Sequence, residues 1–141
     1  MRKRIIQVQN KHHVLPTPFA NTAIIAAYTD SRAERWLDQL TAELEEQATY
    51  LVERLQEELP QLKTFMPEAS YLLWIDFAGL GLEPEARKKW LHEQVRLFLS
   101  PGLPFGASGT TFERLNFGTA RPVLDEALKR LTEHAAGKAF V

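Results

Sequence analysis

Apolar residues recur at steps of three and four along residues 33–59, which is the strongest periodic pattern in the chain. This spacing places them on one face of an α-helix, while glutamates and arginines occupy the other face. Ser31 and Glu34 match a capping box at the start of the pattern, and Pro60 ends it. The sequence therefore predicts one long helix that follows a cap at Ser31 and stops at Pro60.

Two shorter helices are predicted ahead of the long one. Residues 2–12 form a mostly polar segment with a helical pattern, which Pro16 interrupts. Thr17 is suited to cap the next helix, with Pro18 at its first position, and the pattern predicts that helix over residues 18–29. This second helix is apolar on nearly all sides, so we expect it to pack against partners in several directions.

The second half of the chain is richer in β-forming residues. Four segments are predicted as short strands: residues 62–66, 71–77, 97–99 and 111–117. A helix is predicted over residues 84–96, and a last helix begins at Pro122. Helices come first and strands cluster later, which indicates an α+β fold. We expect a small, mainly antiparallel sheet of about three to four strands covered by helices.

Composition narrows the possible functions. The 141 residues carry a net charge of −1, with basic and acidic side chains interspersed, so neither nucleic acid nor an anionic membrane is an expected partner. Without cysteine, disulfides, thiolate nucleophiles and zinc fingers are excluded. No apolar run resembles a signal peptide or a membrane span, and we expect a cytoplasmic protein.

Few side chains stand out as candidates for chemistry. The four histidines lack metal-ligand spacing, and a solvated surface position is the favoured interpretation of His12 and His13. The three tryptophans, Trp36, Trp74 and Trp90, all fall on apolar faces, where packing in the core is expected.

Arg114 lies in the middle of a predicted strand, which is a rigid support for a functional group. Its planar guanidinium can bind a carboxylate through two parallel hydrogen bonds. A surface arginine with its stem on the sheet is the alternative, and spacing alone favours that alternative. The nine residues 101–109 contain three glycines and two prolines, a loop that can approach a ligand or simply connect two elements.

Three later segments and one early segment together resemble the fold type I, class I/II aminotransferases, which use pyridoxal phosphate (PLP). Within that family they are most similar to the cystathionine β-lyase-like C–S lyases of the MalY/PatB type. The segments are Phe19–Tyr28 with Trp36-Leu37, then Pro67–Phe77, then Pro101–Gly106, then Phe112-Glu113-Arg114-Leu115-Asn116. The resemblance covers nearly the whole chain in the family's order, although Ala69 stands where the family has glycine.

The resemblance assigns roles to individual residues. Arg114 would bind the α-carboxylate of an amino-acid substrate, Tyr71 would lie near the substrate entrance, and Asn116 of the same motif would also contact substrate. Residues 1–30 would be linker helices that contact a large domain, and residues 31–141 would be the C-terminal small domain. The motifs do not distinguish transamination from β-elimination.

The family's large domain carries the lysine that binds PLP, in a Ser-x-x-Lys context that none of this chain's lysines shares. The expectation is therefore a lobe that binds no cofactor and is inactive alone. Two alternatives stay open: an autonomous binding protein that reuses the lobe, and a subunit that pairs with a separate large domain. Because the helix over 18–29 would be left uncovered, a homodimer is expected.

Overall fold

The computed structural model describes residues 1–13 and 17–135, which form two compact units, Met1–Thr41 and Ala42–Val141. Pro16 and Lys138 lie outside the described residues. The helices are α1 (Arg2–Lys11), α2 (Pro18–Thr29), α3 (Ser31–Glu58), α4 (Pro84–Trp90) and α5 (Arg121–Ala135). The strands are β1 (Lys63–Thr64), β2 (Leu72–Asp76), β3 (Ser100–Pro101) and β4 (Phe112–Asn116).

The first unit consists of α1, α2 and the first part of α3. The prediction for α2 is confirmed at both ends, since the helix spans Pro18–Thr29. At its start the Thr17 hydroxyl accepts a hydrogen bond from the Ala20 N–H at 3.2 Å. None of the described residues of this unit is buried. Its apolar side chains include Phe19, which is 87% exposed, and Trp36, which is 62% exposed. The expectation that Trp36 packs in a core is therefore wrong.

The start of α3 differs from the predicted capping box of Ser31 and Glu34. The Asp30 carboxylate accepts a hydrogen bond from the Arg32 N–H at 2.8 Å and also forms an ion pair with the Arg32 guanidinium. Asp30 thus satisfies the free N–H group at the helix start, and the cap lies one residue earlier than expected. Arg32 holds the pKa of Asp30 below its ordinary value, chiefly through the side-chain hydrogen bond.

A four-stranded antiparallel sheet in the order β1-β2-β4-β3 lies in the second unit, which confirms the α+β prediction. β2 and β4 pair along their full length at its centre, whereas the outer strands have two residues each. One sheet face joins α3, α5 and the turn after α4 in a single core. The large buried side chains of this core include Leu51, Leu55, Leu73, Ile75, Phe77, Trp90, Leu115, Phe117, Leu124 and Leu128.

Of the two elements predicted between the central strands, the helix is confirmed over Pro84–Val95, and the strand over 97–99 was wrong. The predicted helix 84–96 ends as an α-helix at Trp90 and continues as a π-helical turn over Leu91–Val95. Arg96 then adopts a left-handed conformation (φ 55°), and the Leu97 N–H bonds the Leu91 carbonyl at 2.9 Å. The predicted strand 97–99 consequently stays outside the sheet, and the pairing with β4 begins only at β3.

Polar side chains join α3 to α5. The Tyr50 hydroxyl donates to Asp125 at 2.6 Å, and this hydrogen bond is the main cause that raises the pKa of Tyr50. Arg54 donates to the Tyr50 hydroxyl at 2.8 Å and forms an ion pair with Glu58. The Thr132 hydroxyl donates to Glu58 at 3.0 Å. The hydrogen bond from Arg54 is the main cause that lowers the pKa of Glu58.

Candidate functional site

Arg114 projects from the sheet face that the core does not use. Along β4 the side chains alternate, so Glu113 and Leu115 are buried on the core side while Arg114 is half-buried on the other. Its cross-strand neighbour on β2 is Trp74, which lies on the same face of the sheet. Trp74 is therefore half-buried beside Arg114, and the expectation that it packs in the core is wrong.

Aromatic rings surround the Arg114 guanidinium. The guanidinium carbon lies 4.7 Å from the ring centroid of Phe105 and 5.9 Å from that of Trp74. The two rings meet edge to face at 5.3 Å, and Phe112 approaches Trp74 in the same manner at 6.3 Å. These contacts are close enough for cation–π attraction and limit the directions in which the guanidinium can point.

The Nε atom of Arg114 is buried and has no hydrogen-bond partner. Within residues 1–13 and 17–135, no carboxylate forms an ion pair with this arginine. Buried donors are almost always paired in proteins, so an unpaired one requires an explanation. An anion that accepts from this guanidinium would satisfy the donor.

A cleft of about 400 Å³ opens beside Arg114. The segment Phe65–Ser70 forms one side, and Leu72, Trp74 and Arg114 form the other. Arg114 is the cationic group of this lining, and Glu68, which is exposed, is the anionic one. A small molecule that carries a carboxylate and an apolar portion fits the chemistry of these walls.

Tyr71 and Asn116 lie together at one end of the β2–β4 pair. The Tyr71 carbonyl accepts from the Phe117 N–H at 2.9 Å, and the Tyr71 side chain is 49% exposed next to Gly118. Asn116 shares the sheet face of Arg114, but its side-chain oxygen accepts from the Gly118 N–H at 2.9 Å. Neither residue lines the cleft, so Arg114 is the predicted site residue that the cleft includes.

The loop after β3 is compact. It contains two 3₁₀ turns, Leu103–Phe105 and Ala107–Gly109. Its two ends touch, because a Cβ atom added to Gly109 would lie 2.3 Å from the Gly102 carbonyl oxygen. The glycines therefore bring the loop against itself, and the loop places Phe105 over the guanidinium.

The described lysines lie away from the cleft at Arg114. All of them are exposed, and none lines the cleft at Arg114. PLP enzymes hold the cofactor through an imine to a lysine. The residues of the cleft therefore fit a carboxylate but do not fit the cofactor itself.

Other kinds of site find no support in the described part of the chain. No group of three histidine, aspartate or glutamate side chains there could hold a metal ion. No helix in residues 1–13 or 17–135 is long and apolar enough to cross a membrane.

Two features of the site were not predicted. Phe105 and Trp74 were not recognised as neighbours of Arg114, because a loop and a strand pairing bring them there. The buried ion pair between Arg87 and Glu113, at 2.9 Å, was also missed. Two charged residues 26 positions apart give no local signal in one sequence.

Comparisons with known proteins agree with this structure. The family model described as "Aminotransferase class I and II" matches residues 1–131. Cystathionine beta-lyase PatB of Bacillus subtilis is 37% identical over 80% of this chain, and Protein MalY of Escherichia coli is 34% identical over 82%. In each case the match covers 29% of the relative's length.

A solved structure shows the same fold. Cystalysin from Treponema denticola, which contains a pyridoxal 5′-phosphate cofactor, matches 94% of this chain with a TM-score of 0.86 and 25% sequence identity. The match covers 34% of the cystalysin chain. The α+β arrangement is thus that of one part of a larger PLP-dependent enzyme, and the chain belongs to the class I and II aminotransferase family.

Proposed function

We propose that this chain is the substrate-carboxylate-binding lobe of a PLP-dependent aminotransferase or C–S β-lyase that acts on amino acids. Arg114 binds the α-carboxylate of the substrate in this proposal. The observation that carries it is the buried, unpaired Nε of Arg114, held over Phe105 at the edge of a cleft.

The surroundings of Arg114 favour a carboxylate over other partners. A guanidinium and a carboxylate form parallel, charge-assisted hydrogen bonds, which are stronger than neutral ones. The aromatic rings beside the half-buried guanidinium reduce its contact with water and the local screening, so an ion pair formed there gains more than a fully exposed one. The rings also restrict the guanidinium to few orientations, which would orient a bound amino acid.

The cofactor would be held by a different lobe. PLP, when bound, supplies the electron sink for bond cleavage at the substrate's Cα. The contribution of this chain is to bind and orient the substrate through its carboxylate. The share of the relatives' length that this chain spans is consistent with a second lobe that carries the lysine.

The test is a titration of the ¹⁵N-labelled chain with L-alanine, followed by NMR. We expect shifts at the Arg114 Nε–H and the Trp74 indole N–H, with a Kd on the order of 1 mM or weaker because a single ion pair supplies most of the affinity. Arg114→Gln should weaken binding by at least about tenfold. Arg114→Lys should retain part of it.

Two controls make the titration specific. L-alaninamide lacks the carboxylate and should leave the Arg114 signal unchanged. Arg130→Gln removes an arginine that pairs with Glu126 on α5, away from the cleft, and should bind as the wild type does. Binding that survives in Arg114→Gln, or a wild-type chain whose Arg114 signal ignores alanine, would show that Arg114 is no carboxylate site.

A further inference from the structure

We propose that the buried ion pair between Arg87 and Glu113 is a positioning device that sets both the direction of Arg114 and the path of the loop over it. The inference rests on the proposed function, since it assigns Arg114 the carboxylate. The pair is almost fully enclosed: the Arg87 and Glu113 side chains are 3% and 4% exposed.

The Arg87 guanidinium donates hydrogen bonds to two acceptors. Its Nε donates to the Glu113 carboxylate at 2.9 Å, and one terminal nitrogen donates to the Thr110 carbonyl at 2.6 Å. Glu113 is the residue before Arg114 in β4, and Thr110 ends the loop. One planar guanidinium on α4 therefore fixes the strand and the loop relative to the same helix.

The contact with Glu113 controls where Arg114 points. Neighbouring side chains of a strand project to opposite faces, so the Glu113 contact on the core side acts with buried Leu115 and the pairing with β2 to set the orientation of β4. Arg114 must then point to the cleft side, where its cross-strand neighbour is Trp74.

The contact with Thr110 controls the loop. At the other end of the loop the Gly102 N–H donates to the Phe112 carbonyl at 2.9 Å, and Gly102 also touches Gly109. One end of the loop is thus fixed to β4 and the other to Arg87 on α4, with Phe105 between them. A change at the Thr110 carbonyl would move Phe105, whose ring lies 4.7 Å from the Arg114 guanidinium carbon.

Stability alone does not account for such a pair. Removing two charges from water is costly, and an apolar pair of similar size is often just as stable. The Arg87 guanidinium donates its hydrogen bonds in fixed directions, which an apolar pair cannot do. Because the two acceptors of Arg87 lie between Phe105 and Arg114 on the chain, geometry explains the pair better than stabilisation does.

The first measurement uses the ligand-free 141-residue chain. Arg87→Met with Glu113→Leu replaces the pair by apolar side chains. We expect this double variant to keep a cooperative thermal transition while hydrogen exchange at the Phe105, Gly106 and Gly109 amides speeds up by about tenfold or more. The Arg114 Nε–H signal should move towards the position of exposed arginines as Phe105 loses its fixed place.

Arg87→Lys is the second variant, and it tests the positioning role of Arg87 if the double variant does not fold. It keeps a positive charge beside Glu113 but loses the planar fork that also reaches Thr110. We expect a smaller acceleration of loop exchange. Arg54→Met with Glu58→Leu removes a pair that touches neither β4 nor the loop, and should leave both readouts unchanged.

Binding provides the second measurement. L-alanine affinity should fall by about tenfold in the folded double variant, although Arg114 itself is intact. Unchanged loop exchange and an unchanged Arg114 signal in a folded variant would overturn the positioning role. A changed signal in variants of a chain whose wild type binds no alanine would keep the positioning role and reject the carboxylate site.

Discussion

The Arg114 guanidinium has aromatic rings beside it, but its hydrogen-bonding capacity is not fully used. Contacts with Phe105 and Trp74 contribute about 0.5–2 kcal/mol in sites of this kind. They do not replace a hydrogen bond, and the buried Nε stays without an acceptor. An anion that arrives at this position therefore gains an interaction that the protein has left open.

Part of this environment could be read from the sequence. The residue type and its place in a strand were both predictable for Arg114, because they depend on a few adjacent residues. Its pairing with Trp74 depends on the register of two strands, and its contact with Phe105 depends on the path of a loop. Neither property is encoded locally, so the sequence pattern alone favoured a plain surface arginine.

Gly109 gives a prediction at the same scale. An added Cβ would lie 2.3 Å from the Gly102 carbonyl oxygen, which is backbone and cannot move without reopening the loop. We expect Gly109→Ala to lower the free energy of unfolding by roughly 1–3 kcal/mol, measured by chemical denaturation. Ser108→Ala, at an exposed neighbouring position, is the control and should be nearly neutral. A Gly109→Ala chain as stable as the control would show that the loop can open freely.

The helices and strands differ in how far the sequence defines them. The bounds of α2 were predicted correctly because Thr17 and Pro18 are local signals. β3 was misplaced because a two-residue strand is defined by its partner, and the partner Glu113 lies twelve positions beyond Pro101. Elements that depend on pairing are the ones that a single sequence leaves undetermined.

The link between α3 and α5 predicts a dependence on pH. Arg54, with a smaller contribution from Thr132, lowers the pKa of Glu58, so the ionised form is favoured in the folded state. The resulting stabilisation is present above the pKa of an unfolded glutamate, about 4.3, and is lost as the pH falls through the lower folded value. Glu58→Gln should lose less stability than the wild type between neutral pH and about pH 3.

Thermal melting at several pH values measures this effect. Glu53→Gln changes an exposed glutamate of the same helix and should keep the wild-type slope of melting temperature against pH. If Glu58→Gln and the wild type lose stability in parallel on acidification, the Arg54–Glu58 pair does not contribute to the acid response.

At the scale of the whole molecule, the two units differ in what they bury. Residues 42–141 contain the core, whereas no described residue of 1–41 is buried. The interpretation of residues 1–30 as linker helices for a large domain stays a prediction. It is compatible with relatives of which this chain spans 29%.

Exposed apolar side chains on α2 predict self-association of the isolated chain. Phe19, Ile24 and Ile25 are 87%, 58% and 63% exposed, and large apolar patches rarely stay in contact with water. Sedimentation velocity should show a dimer or a larger species. Ile24→Ser with Ile25→Ser should shift the chain towards monomer, while Val123→Ser, which removes an exposed apolar residue of α5, should not. A monodisperse wild-type monomer would contradict the prediction.

The alternation of Glu113 and Arg114 on the two faces of β4 limits how this sequence can vary over evolution. The Glu113 side chain points to the core and the Arg114 side chain points to the cleft. The strand therefore presents opposite charges on its two faces at adjacent positions. Inserting or deleting one residue nearby would exchange the faces, turning an acidic side chain towards the cleft and leaving a cation against Arg87. Substitutions at exposed loop positions such as Ser108 are tolerable, but changes of length that shift this strand are not.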